Sequence, residues 1–133
     1  MSDKTIDDGA FWDELFREIE ERQAKQKWDR EHTYVVDIIR VLHGRRFGLR
    51  KADLDDALLQ KRSADGEPIP KKFAETTQSV LNNYTSQSLV FQKAKRSPGD
   101  NLFYSPRGKG TGTWALHTER AKMWLTRKLA LDL

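Results

Sequence analysis

Cysteine does not occur in the 133 residues, so a disulfide framework and a thiolate metal site are both excluded, which suits a reducing compartment. No apolar run approaches the roughly 18 residues that a membrane span needs. The amino terminus carries Asp3, Asp7 and Asp8 and lacks the basic-then-apolar order of a secretion signal. A cytoplasmic or nucleoid protein without membrane contact is expected. Histidine is scarce: His32, His43 and His117 have neither a carboxylate nor a second histidine at the i, i+4 ligand spacing, so no metal and no cofactor are expected. The acids Asp53, Asp55 and Asp56 lack the glycine and closing glutamate of a calcium loop. Gly108-Lys109-Gly110 lacks the frame and following helix of a phosphate-binding loop. Nothing here composes a catalytic site, and an enzyme is not expected.

Charge is present in quantity and unevenly placed. Residues 1–31 hold 6 Lys and Arg against 10 Asp and Glu, residues 32–70 hold 7 against 6, and residues 71–133 hold 11 against 4. A polyanion, if one is bound, therefore meets the second half of the chain. The acids of the first helix, among them Asp13, Glu14, Glu18, Glu20 and Glu21, read as a solvated face.

Trp12, Leu15, Phe16 and Ile19 follow the i, i+3, i+4, i+7 spacing of one helix face, predicting an amphipathic helix over residues 10–28 with Asp7 or Asp8 as its cap. A break near His32, with Thr33 capping the next start, leads to a buried helix over 34–43 carrying Val35, Ile38, Ile39 and Leu42 and ending at Gly44. A short helix follows over 50–61 on Leu54, Ala57 and Leu58. Gly66, Pro68 and Pro70 mark a loop, with Pro70 suited to the first position of a helix over 71–84. That helix is predicted to bury Phe73, Thr77, Val80 and Tyr84, with Leu81 at the edge. Opposite them stand Lys71, Lys72, Glu75, Gln78, Ser79 and Asn82, groups able to reach base edges and phosphates. Leu89-Val90-Phe91, Leu102-Phe103-Tyr104 and Thr113-Trp114-Ala115-Leu116 read as strands, with Trp114 and Leu116 facing the core. Thr118 is the expected cap of a final helix on Ala121, Trp124, Leu125 and Leu129.

Three helices followed by a hairpin give an α+β, mainly α class: a winged helix-turn-helix with a β-hairpin wing and extra helices at both ends. The divisions are 1–32 for the N-terminal helix, 33–117 for the winged domain and 118–133 for the C-terminal helix. With the helix before it, the segment 100–117, DNLFYSPRGKGTGTWALH, resembles the winged helix-turn-helix modules of the HARE-HTH type found fused to restriction endonucleases and chromatin proteins. The resemblance covers about residues 33–117, and its strongest element is the glycine-rich turn running into Gly110-Thr111-Gly112-Thr113-Trp114-Ala115-Leu116 behind an aromatic strand. The chain departs from the usual form in its Gly/Pro stretch before the helix at 71 and in having no nuclease or methyltransferase domain in these 133 residues.

The function expected from the residues is sequence-preferring binding of double-stranded DNA as a transcriptional regulator. The helix at 71–84 would read the major groove through Lys71, Lys72, Glu75, Gln78, Ser79 and Asn82. Arg107 and Lys109 on the glycine turn would follow the backbone, with Lys93, Lys95 and Arg96 adding phosphate contacts. Two alternatives use the same fold: nonspecific nucleoid-type DNA binding, and a protein-interaction module that engages a partner through the acidic first helix. The terminal helices carry more apolar surface than a three-helix winged domain needs. Trp12, Leu15, Phe16, Ile19, Trp124, Leu125 and Leu129 are therefore expected to pack together as a homodimer interface.

Overall fold

A computed structural model describes the backbone of residues 4–25 and 28–131, and the side chains of 9–25 and 28–130. The chain is α+β and mainly helical. Its elements run α1 Lys4–Lys25, α2 Arg30–Leu42, β1 Leu49–Arg50, α3 Lys51–Ala64, α4 Phe73–Asn83, α5 Leu89–Ala94, a 3-10 turn Pro98–Asp100, β2 Phe103–Tyr104, β3 Thr113–Leu116 and α6 Thr118–Leu131. The three strands form one antiparallel sheet in the order β1-β3-β2.

The core forms around α2, which buries Tyr34, Val35, Val36, Ile38, Ile39 and Leu42. Asp29 starts this helix, its carboxylate accepting from the Glu31 N–H at 3.3 Å. The break between α1 and α2 thus falls ahead of Arg30, earlier than expected, and Thr33 sits inside α2 with its hydroxyl donating to the Asp29 carbonyl at 3.2 Å. The expected caps Asp7 and Asp8 fall within α1, and their side chains lie outside the described residues. Gly44 closes α2 with φ +80°, the left-handed conformation anticipated for it.

The terminal helices correct the assembly expectation. Trp12, Leu15, Phe16 and Ile19 of α1 are buried in the chain's own core, as are Trp124 and Leu125 of α6, and Leu129 packs against that core. Trp12 stacks on Phe16 and on His43 with ring centroids 5.5 and 5.1 Å apart, while Arg40 stands 4.6 Å over the Phe16 ring. Arg22 donates to the Leu129 carbonyl at 3.2 Å and ties the two helices end to end. The apolar stripes are therefore largely consumed within one chain, Leu129 being partly buried.

Three further expectations are overturned. Residues 89–91 form no strand: the Ser88 hydroxyl accepts from the Phe91 N–H at 3.1 Å and caps α5, in which Phe91 is buried while Leu89 and Val90 are exposed. A three-residue apolar run has no readable period, so the cap decides its conformation. Pro70 does not open α4, because Lys71 and Lys72 form a turn and the helix begins at Phe73. Thr118 is itself helical, and the His117 carbonyl accepts from the Ala121 N–H at 2.9 Å.

Strand β1 is absent from the periodicity because two residues carry none. It pairs Leu49 with Trp114 and Arg50 with Thr113, which makes β3 the central strand. All four residues of β3 are buried, where alternation of a buried pair with an open pair was anticipated. A strand bonded on both edges and covered on both faces loses its solvent side.

Candidate functional site

Helix α4 buries Phe73, Thr77, Val80 and Leu81, and the Tyr84 side chain at its end is buried as well. The Thr77 hydroxyl donates back to the Phe73 carbonyl at 3.0 Å, so the polar member of the inner face is satisfied within the helix. Beyond Asn83 the end of the helix is bonded to the segment that enters the hairpin, although α5 and the 3-10 turn lie between them in the chain. The Tyr84 carbonyl accepts from the Leu102 and Phe103 N–H groups at 2.8 and 3.1 Å. Asn101 accepts from the Ser86 N–H at 2.8 Å, and Gln87 accepts from the Ser105 N–H at 2.7 Å. These bonds hold the end of α4 and the base of the hairpin in one frame.

The hairpin turn is shaped by Gly108, Gly110 and Gly112, whose φ values of +109°, +83° and +78° are open to glycine and strained for other residues. The turn closes on itself through the Thr111 hydroxyl, which donates to the Gly108 carbonyl at 2.7 Å. The Gly112 carbonyl accepts from the Lys51 N–H at 2.7 Å and pins the far side of the turn to the start of α3.

Held in this way, the outer side of α4 and the glycine turn line a single cleft of about 320 Å³, with Gln78 and Asn82 on one wall and Lys109, Gly110 and Gly112 on the other. The Gln78 amide donates to the Asn82 side-chain oxygen at 3.1 Å, so the two amides present a joined polar surface. Thr85, Gln87, Ser88, Ser105 and Trp114 also line the cleft. Sequence reasoning missed them, although the polar run Thr85-Ser86-Gln87-Ser88 behind the helix was a usable signal.

The other expected residues are divided. Lys72, Glu75 and Ser79 line a second groove of about 390 Å³ with Arg30, Glu31 and Asn83, on the side of α4 facing the start of α2. There the Glu31 carboxylate accepts from Asn83 at 2.8 Å and from the Tyr84 hydroxyl at 3.2 Å, joining α2 to the end of α4. Burial and the adjacent Glu31 charge raise the Tyr84 pKa well above the usual phenol range, so the phenol stays a donor. Lys71, Arg107, Lys93 and Lys95 are exposed outside both grooves, Lys95 holding the left-handed cap of α5 at φ +52°. Arg96 is half-buried, its guanidinium 4.9 Å from the Tyr84 ring and 4.0 Å from Asp100. It joins the residues just after α5 to the end of α4.

Lys72 caps α4 without a side-chain hydrogen bond, so the first-turn N–H groups of that helix receive no capping acceptor from it. Lys71 and Lys72 stand exposed beside those donors, with Glu75 in the same first turn. Among the described residues no group of His, Cys, Asp and Glu is arranged to hold a metal ion, and no helix is long and apolar enough to cross a membrane. Comparison of the chain with protein-family models, with curated proteins and with solved structures finds no match in any of the three.

Proposed function

We propose that the chain is a DNA-binding protein of winged-helix type, in which α4 is the recognition helix and the hairpin β2-β3 is the wing. The chain order α2, β1, α3, α4, then the hairpin after the short α5 and the 3-10 turn, supports this reading, as does the addition of β1 to the hairpin in the order β1-β3-β2. The resemblance of residues 33–117 to HARE-HTH modules belongs to the same proposal. One observation carries it: the polar side of α4 and the cationic glycine turn line one cleft.

In the proposed complex Gln78 and Asn82 contact base edges in the major groove, where amides discriminate adenine by paired donor and acceptor bonds. Lys109 and Arg107 follow the backbone at the wing, and Lys71 and Lys72 hold a phosphate at the start of α4. Sequence preference separates this reading from nonspecific DNA binding with the same surface. A protein partner held by the first helix is disfavoured, since the apolar face it would use is buried.

The test is binding of the full chain to duplexes selected from a random pool, against scrambled duplexes, over a range of salt. Selected duplexes are expected to bind at least tenfold tighter, with log affinity falling linearly with log salt. Equal affinity for all duplexes would reduce the proposal to backbone binding, and no binding at 50 mM salt would end it.

A further inference from the structure

A cleft of about 670 Å³ lies between the end of α1, the start of α2 and the loop that precedes α4. It is larger than either groove beside α4, and its volume falls in the range of small-molecule sites. Four of its lining residues each keep a buried polar group without a hydrogen-bond partner: the Gln23 amide nitrogen, the Trp28 indole N–H, the Tyr34 hydroxyl and the Arg62 Nε–H. Folded proteins seldom leave such groups unmet, and here all four can donate. Trp28, Tyr34 and Arg62 are only 7%, 1% and 9% exposed. These donors are built into the wall.

Arg62 is the charged member of this set. The Arg62 guanidinium is held 4.2 Å over the Tyr34 ring and 5.8 Å from Phe73. Its contact with Asp37, at 3.9 Å, uses a terminal nitrogen, and Asp37 also faces Lys61 at 3.8 Å. Lys61 is engaged mainly by Asp65 at 2.7 Å, which leaves Asp37 as the carboxylate facing Arg62. Arg30 adds a second cation to the lining against the single acid Glu67. Apart from Thr33, the rest of the wall is apolar and partly flat: the Trp28 and Tyr34 rings with Pro68, Ile69 and Pro70. Ile69 stands 46% exposed, an apolar side chain left open.

From the gathered donors, a guanidinium among them, and the aromatic and proline walls, we infer that this cleft binds a small organic anion with a flat apolar body, in class an aromatic carboxylate. The carboxylate accepts from Tyr34 and Arg62, and the ring lies against Trp28 and the 68–70 wall. These donors have no hydrogen-bond partner in the free chain, so an entering acceptor displaces no existing hydrogen bond at them. The inference does not rest on DNA binding and is tested without nucleic acid.

The probes are 2-naphthoate, its neutral isostere 2-naphthamide and inorganic phosphate, each titrated into the full chain and followed by calorimetry and thermal unfolding. At ten times its Kd, 2-naphthoate is expected to raise Tm by about 5 °C, with 2-naphthamide and phosphate giving no comparable shift. Tyr34→Phe is expected to weaken naphthoate binding about tenfold while making the free protein more stable, because an unmet buried hydroxyl is removed. Trp28→Phe carries the affinity arm independently should the first variant fold poorly, and is expected to weaken binding likewise. The inference is overturned if millimolar naphthoate produces no shift, if naphthamide or phosphate matches it, or if both variants bind as the parent does. A folded Tyr34→Phe protein less stable than the parent also overturns it, since the hydroxyl would then be shown to have a partner.

Discussion

Replacing Gly48 by alanine should separate two costs that positive-φ glycines usually combine. Gly48 sits at φ +77°, one residue before β1, and a Cβ placed there would stand 2.9 Å from the Trp114 carbonyl carbon, closer still to its oxygen, and 3.1 Å from the Ala115 Cβ. The atoms in the way are chiefly backbone of the central strand, which cannot retreat without breaking the pairing of Leu49 with Trp114. Gly44, at φ +80°, has nothing within 4 Å of the same added atom and serves as the control. The left-handed conformation costs a non-glycine residue about 1–2 kcal/mol, and overpacking against a fixed neighbour adds about 1–3 kcal/mol. Gly44→Ala should therefore lose about 1–2 kcal/mol and Gly48→Ala about 2–5 kcal/mol, a large share of the 5–15 kcal/mol typical of a domain. Urea unfolding followed by tryptophan emission and by far-UV circular dichroism measures both, and the difference should move the midpoint by about 1 M. Equal losses in the two variants would refute the close approach of β1 to β3 and, with it, the placement of the hairpin beside α4.

Other perturbations probe the surface and its supports. Gln78→Ala or Asn82→Ala should reduce discrimination between duplexes by about 1–3 kcal/mol, whereas Lys109→Ala should weaken every duplex alike and flatten the salt dependence; indistinguishable profiles would contradict base-edge contact. Ser88→Ala removes the acceptor for the Phe91 N–H and the donor to the Asn82 carbonyl, the latter bond 2.5 Å long, so a loss of about 1–2 kcal/mol in urea unfolding is expected. Burial, followed by the Arg120 charge, holds the His117 pKa below its ordinary 6.5. Its neutral form is favoured by folding, so this contribution is complete above pH 6.5 and lost as pH falls from there through the lower folded value. Midpoints at pH 7.5 and 5.5 check this, and His117→Gln should flatten the difference. With Trp12, Phe16 and Trp124 buried in their own chain, sedimentation at tens of micromolar should show a 15.5 kDa monomer. A dimer there would require a surface other than these helices.

The sequence by itself determined those features whose causes are local or periodic. Ile38, Ile39 and Leu42 recur at helical spacing, and α2 follows; Phe73, Thr77 and Val80 share an arc, and they are the buried side of α4. Gly44 stops its helix, and the glycines at 108, 110 and 112 form a turn, because positive φ is a property of the residue. Tertiary structure alone decided the rest. The pairing of Leu49 with Trp114 links positions 65 residues apart, and no local preference announces a two-residue strand. The apolar faces of α1 and α6 are equally visible whether they meet a second chain or their own core, and the hold of Arg22 on Leu129 belongs to the folded chain. Arg96 and Lys109 read alike as free cations until Tyr84 and Asp100 engage one of them. Period and backbone preference are written residue by residue, whereas partners are chosen by the three-dimensional packing that brings distant residues together.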